Sequence, residues 1–161
     1  MTEDMTNVDP EIENLENLGS KVTEWASPDD AVLEVIPNMT GNNQFWAVTH
    51  RTREFGSLCK MTAQPDSAIM SICIVPDSCW VESKCLKMYL NSFRNHRTFM
   101  EPCVNRIARE LFNVMQPYGI RVHAHFLPRG GITIDPDVVL IRPGGSPREE
   151  EEIRNLLELR G

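Results

Sequence analysis

The sequence predicts an α+β fold in which an antiparallel β-sheet carries two consecutive helices packed on one face. Three observations predict it. Periodicities follow the order strands, two helices, strands. Helices that succeed one another between hairpin-like segments fit an antiparallel layer better than a doubly wound parallel sheet. No G-x-G-x-x-G or P-loop stands between a strand and a helix. At 161 residues, 41% hydrophobic and 24% charged, the chain has the size and composition of one globular domain.

Taken in order, residues 1–17 are rich in acids and lack bases, so self-repulsion predicts a disordered segment. "AVLEVIP" (31–37) and "QFWAVTH" (44–50) read as strands joined by the Asn/Gly-rich turn "NMTGNN". "SAIMSICIVP" (67–76) is a third, β-branched strand. "KCLKMYLNSFRNH" (84–96) sets Leu86, Tyr89, Leu90 and Phe93 on one helical face. In "EPCVNRIARELFNVM" the positions Val104, Ile107, Ala108, Leu111, Phe112 and Met115 follow a 3.6-residue period, and Pro102 suits the first helical position. Pro117 and Gly119 end that helix. "IRVHAHF" (120–126) alternates strictly and "PRGG" turns it into "ITIDPDVVLIR" (132–142), a hairpin. Residues 18–145 thus form the folded unit. The acidic tail 146–161 is expected to be a short appended helix, with four glutamates in the first turn where the helix dipole favours them.

The net charge of −7 argues against a broad nucleic-acid surface, because backbone binding needs a positive footprint. No apolar stretch approaches the ~20 residues of a membrane-spanning helix, so a soluble, cytoplasmic protein is expected. Five cysteines, an odd number without C-x-x-C spacing, point to reduced thiols and no structural zinc. Residues 82–109 gather six basic side chains against Glu82 and Glu101, which suits either a small anionic ligand or a solvated helix face.

Three constellations bear on chemistry. Cys59 follows Gly56-Ser57 and precedes Asp66 by seven residues, which reads as a thiol on a loop; a thiolate there needs an electropositive neighbour. His96 and Glu101 flank Phe99; a carboxylate beside an aromatic face suits a guanine-like edge, while a helix-capping role for Glu101 is the alternative. His123 and His125 form an H-x-H on an outward strand face, with no third ligand in view and hence no metal expected.

"SLCKMTAQPD", "VESKCLKMYLNSFRNH", "FMEPC" and "PRGGITIDP" resemble, in order and spacing, blocks of the NADPH-dependent 7-cyano-7-deazaguanine (preQ0) reductases, the QueF family, over residues 18–143. The resemblance implies a tunnelling fold (T-fold) of two antiparallel hairpins with two helices on one face. It also implies homo-oligomeric rings with sites between subunits. Cys59 matches the nucleophile that attacks the nitrile carbon to give a covalent thioimide, and Asp66 the acid that protonates its nitrogen. Lys84, Lys87 and Arg129 match contacts to NADPH phosphates. Glu101 matches the carboxylate that reads the base, with Glu82 and Ser83 at family positions near it; Phe99 and His96, from the reading of the flanking residues, complete the expected substrate site. Met100 stands where the family usually has histidine, Ala63 where it has glycine, and Cys85 where serine or alanine is usual. Archaeal QueF-like amidinotransferases keep the thiol and acid but convert the nitrile to an amidine without NADPH, and they are the alternative reading.

Overall fold

In the computed structural model, residues 24–40 and 44–160 are described; the expected disordered segment 1–17 lies outside them. The strands are β1 (Val35–Pro37), β2 (Val48–Cys59), β3 (Pro65–Val75), β4 (Cys79–Val81), β5 (Arg97–Thr98), β6 (Gly119–Phe126) and β7 (Asp137–Ile141). The helices are α1 (Ser83–Asn91), α2 (Met100–Met115) and α3 (Pro147–Arg160). The main sheet has the order β5-β2-β3-β6-β7, and β1 pairs with β4 in a separate two-stranded ribbon. The β2–β3 and β6–β7 hairpins are antiparallel and are joined through β3–β6, so the α+β antiparallel reading holds.

Alternation on each strand sets which residues face the helices. Cross-strand partners share a face, so the pairs His50↔Ile72, Thr52↔Met70, Phe55↔Ala68 and Ser57↔Asp66 line one side. The run changes from even to odd because β2 bulges between Thr52 and Phe55, where the Glu54 amide donates to Thr52 Oγ1 at 3.1 Å. On this side, α2 buries Val104, Ile107, Leu111 and Met115 almost completely. Such burial stabilises by roughly 2 kcal/mol per side chain, well above the differences in helix propensity. The buried phenol of Tyr89 on α1 donates to Glu110 Oε2 at 2.6 Å, which ties the two helices together. On the reverse face α3 packs Ile153 and Leu157 against Cys73 and Val75. A Cβ on Gly119 would meet Ile153 Cγ2 at 2.8 Å, so the glycine lets α3 lie close to β6.

Several expectations are corrected. The segments 31–37 and 44–50 do not form a hairpin: β1 pairs with β4 (Val35↔Val81), a partner far along the chain that a local turn signal does not reveal. Cys59 is not on a loop. Gly56 and Ser57 continue β2, and the thiol stands on the strand's last residue, because the long ladder to β3 outweighs their turn preference. The helix expected over 84–96 ends at Asn91 and tightens into a 3₁₀ turn over Ser92–Asn95, and β7 is shorter than the 132–142 expected.

Candidate active site

The β2–β3 hairpin places Cys59 and Asp66 on the helix-bearing face. The Cys59 amide donates to Gln64 O at 2.8 Å and the Ala63 amide returns to Cys59 O at 3.0 Å, so the thiol and the carboxyl flank a closed turn. Both are nearly buried, with 9% of Cys59 and 4% of Asp66 exposed. Arg129 reaches them from the turn after β6, where its amide and that of Ile132 exchange hydrogen bonds with each other's carbonyls (3.0 and 3.1 Å). Its Nη2 lies 2.6 Å from Asp66 Oδ1 and donates to Gln64 O at 3.3 Å. The contact with Asp66 is an ion pair, and Oδ1 accepts no aligned hydrogen bond.

The electrostatics differ for the two groups. The Arg129 guanidinium, then the Thr62 side chain and the backbone amides of Thr62 and Met61, favour the thiolate and hold the Cys59 pKa down at about 6. Burial pushes the Asp66 carboxyl above its ordinary value, and the opposing pull of Arg129 only partly offsets this. A nucleophile ionised at neutral pH therefore stands beside an acid inclined to keep its proton. Cys103, buried on α2, is pushed up to about 12 by its burial and is not a competing nucleophile.

Two cavities lie along β2, and the smaller of them reaches Asp66. The smaller, about 270 Å³, is lined by Asp66, Ser57, Phe55, Arg53, Glu54 and Arg94 among others. The larger, about 420 Å³, lies between β2 and α1 and is lined by His50, Thr52, Phe55, Ser83 and Lys87. They share Glu54 and Phe55. A cavity of this size with a lysine at its wall fits part of a dinucleotide and its phosphate.

Of the expected site residues, the fold brings Cys59, Asp66 and Arg129 into one cluster. It sets β5 parallel to the end of β2 (Cys59↔Thr98), so exposed Phe99 and Glu101 follow at the same edge. The main chain of His96 accepts from the Leu58 amide at 3.0 Å while its ring packs edge-on against Phe93, and burial lowers its pKa. Glu82 is buried and spends both carboxylate oxygens capping α1, on the amides of Lys84 (3.0 Å) and Cys85 (2.7 Å), away from Asp66. Ser83 and Lys87 line the larger cavity; Lys84 is half-buried on the first turn of α1. Met100 is 6% exposed and belongs to the main core. His125 pairs with Asp135 at 2.7 Å, and among the described residues no cluster is placed to hold a metal ion.

Sequence reasoning missed Ser57 and His50. Ser57 lies directly across from Asp66, and its buried Oγ has no partner among the described residues. His50 Nε2 is likewise buried without a partner at the larger cavity, and burial lowers its pKa. The signal for Ser57 was its place two residues before Cys59, which carries meaning only once β2 is read through Gly56.

Comparison with known proteins finds relatives over most of the chain. The family described as QueF-like protein matches residues 65–143. The NADPH-dependent 7-cyano-7-deazaguanine reductase of Sinorhizobium medicae is 46% identical over 131 residues, 81% of this chain and 83% of that protein. The Bacillus subtilis protein of the same name is 42% identical over 152 residues, covering 92% and 90%. The crystal structure of the archaeosine synthase QueF-Like in the apo form shares the fold, with a TM-score of 0.55 at 19% identity over 63% of this chain and 96% of that one. With relatives this similar over most of both chains, the chain belongs to the QueF family.

Proposed function

We propose that the chain is an NADPH-dependent nitrile oxidoreductase that reduces 7-cyano-7-deazaguanine (preQ0) to 7-aminomethyl-7-deazaguanine (preQ1). The observation that carries the reading is the juxtaposition of Cys59 and Asp66 around one guanidinium, in a chain whose relatives bear the name of that activity. A nitrile carbon is a weak electrophile, so addition needs a strong nucleophile and a proton for the nitrogen. Cys59 Sγ bonds to the nitrile carbon, one C–N π bond opens onto nitrogen, and Asp66 supplies the proton there, giving a thioimide. Further reduction to the amine takes hydride, the chemistry NADPH supplies when bound.

Lys84 and Lys87 are the residues we assign to the phosphates of NADPH, with Arg129 as a third contact; the lysine in the larger cavity supports this. We assign recognition of the guanine-like edge to Glu101, with Phe99 and His96 beside it and Glu82 and Ser83 supporting. The exposed apolar side chains of Met61, Phe99 and Ile132 around the thiol, and the unpaired outer edge of β7, support a homo-oligomeric ring with sites completed between subunits. We propose a cytoplasmic location; no helix among the described residues is long and apolar enough to cross a membrane.

Mixing the protein with preQ0 should produce a thioimide absorbance that is absent in Cys59→Ala; an identical spectrum in the variant would refute covalent catalysis. Supplying NADPH or ammonium and weighing the product separates amine formation from the amidine of the alternative reading.

A further inference from the structure

The resemblance assigns Arg129 to the cofactor, yet in the structure its side chain is directed at the reacting pair. Nη2 stands 2.6 Å from Asp66 Oδ1 and bonds to Gln64 O, the same carbonyl that accepts the Cys59 amide. The guanidinium is presented by a tight turn: Gly130 and Gly131 take φ of +58° and +82°, and the flanking Arg129 and Ile132 close it with two hydrogen bonds. We propose that Arg129 is a positioning residue for Cys59 and Asp66 that acts before any dinucleotide binds, its single charge keeping a thiolate and a carboxyl group together in a nearly closed site.

The argument is one of charge balance. A thiolate shielded from water, beside a carboxyl whose own ionisation burial disfavours, is not stable without a counter-charge. Around Asp66, the other cations are Arg53 on β2, with Glu54 beside it, and Arg94 on the Ser92–Asn95 turn, all of which line the smaller cavity. Around Cys59, Lys60 is the adjacent residue and is exposed, Cys103 on α2 is neutral at working pH, and the His96 imidazole has a lowered pKa. Among the described residues, Arg129 is therefore the one group found to bear on both members of the pair, and it is the leading influence on the thiol.

The test is alkylation of the full-length chain by iodoacetamide, without NADPH and without any nitrile, read by mass spectrometry of the Cys59 peptide between pH 5 and 9. In the unaltered protein the rate should rise with a midpoint near 6. In Arg129→Gln the midpoint should move up by about one to two units, lowering the rate at pH 6 roughly 5- to 50-fold. Arg129→Lys, which keeps the charge, should retain most of the low midpoint. An unmoved midpoint in Arg129→Gln overturns the proposal. If Arg129→Gln misfolds, shown by labelling of the buried Cys73, Arg129→Lys decides: a midpoint near 6 supports the charge role and one near 9 refutes it. The inference rests on Cys59 as the nucleophile, but the assay needs neither substrate nor cofactor. A failed shift therefore sinks the role of Arg129 alone, whereas a missing preQ0 adduct sinks the proposed function.

Discussion

Ala63 holds φ at +57° in the turn between Cys59 and Asp66, where the family usually has glycine. A Cβ in the left-handed region costs about 1–2 kcal/mol. Glycine would remove that cost but add about 0.4–1 kcal/mol of backbone entropy to the unfolded chain. Ala63→Gly should therefore stabilise the fold by roughly 0.5–1 kcal/mol, a rise in Tm of about 2–3 °C for a chain of this length. Thermal denaturation at matched protein concentration measures it, since the proposed assembly would make Tm depend on concentration. Gln116 supplies the internal comparison. It has φ of +47° at the end of α2, but its Nε2 donates to Phe112 O (3.4 Å) and Asn113 O (3.1 Å), bonds that glycine would lose. Gln116→Gly should accordingly gain little or nothing. An unchanged or lower Tm for Ala63→Gly, or an equal rise for both variants, would refute the strain argument.

Met100 lies in the main core, so Met100→His would bury an imidazole without a partner at a cost of about 1–3 kcal/mol. It should lower Tm without speeding reduction; faster turnover at unchanged Tm would show that position 100 reaches the reacting nitrogen. Gly119→Ala drives its methyl into Ile153 and Leu157 and should cost about 1–3 kcal/mol in denaturant unfolding, part of which Ile153→Ala recovers. Normal stability of Gly119→Ala would mean that α3 shifts freely. Lys87→Ala should weaken NADPH binding at least about tenfold, with a much smaller effect on preQ0, as measured by titration. Equal losses of both ligands would indicate general misfolding instead.

What the sequence made legible was set by locality. The second helix was legible because seven buried positions repeat every 3.6 residues, although the structure starts it at Met100, two residues before the Pro102 expected at its first position. The β6 strand was equally plain from its alternation. The β1–β4 ribbon was not, since Val35 and Val81 meet only through tertiary pairing. Cys59 and Asp66 were legible as a pair through their spacing and the resemblance. The place of Arg129 was not, because it depends on the β3–β6 ladder continuing into the Leu127 amide bond to Ser67 O (2.9 Å), which brings the following turn back over the hairpin.

The bulge in β2 has one more consequence. Arg53 and Glu54 oppose the single residue Ile69, so β2 carries a spare residue of slack just upstream of the thiol. Excising one of the two should straighten the strand and still leave Thr52 opposite Met70 and Phe55 opposite Ala68, with Cys59 unturned. What would change is the mouth of the smaller cavity, where both charged side chains stand. The strand can thus absorb a length change at the entrance while the sulfur keeps its aim, a separation that leaves the rim free to vary between relatives that share the same chemistry.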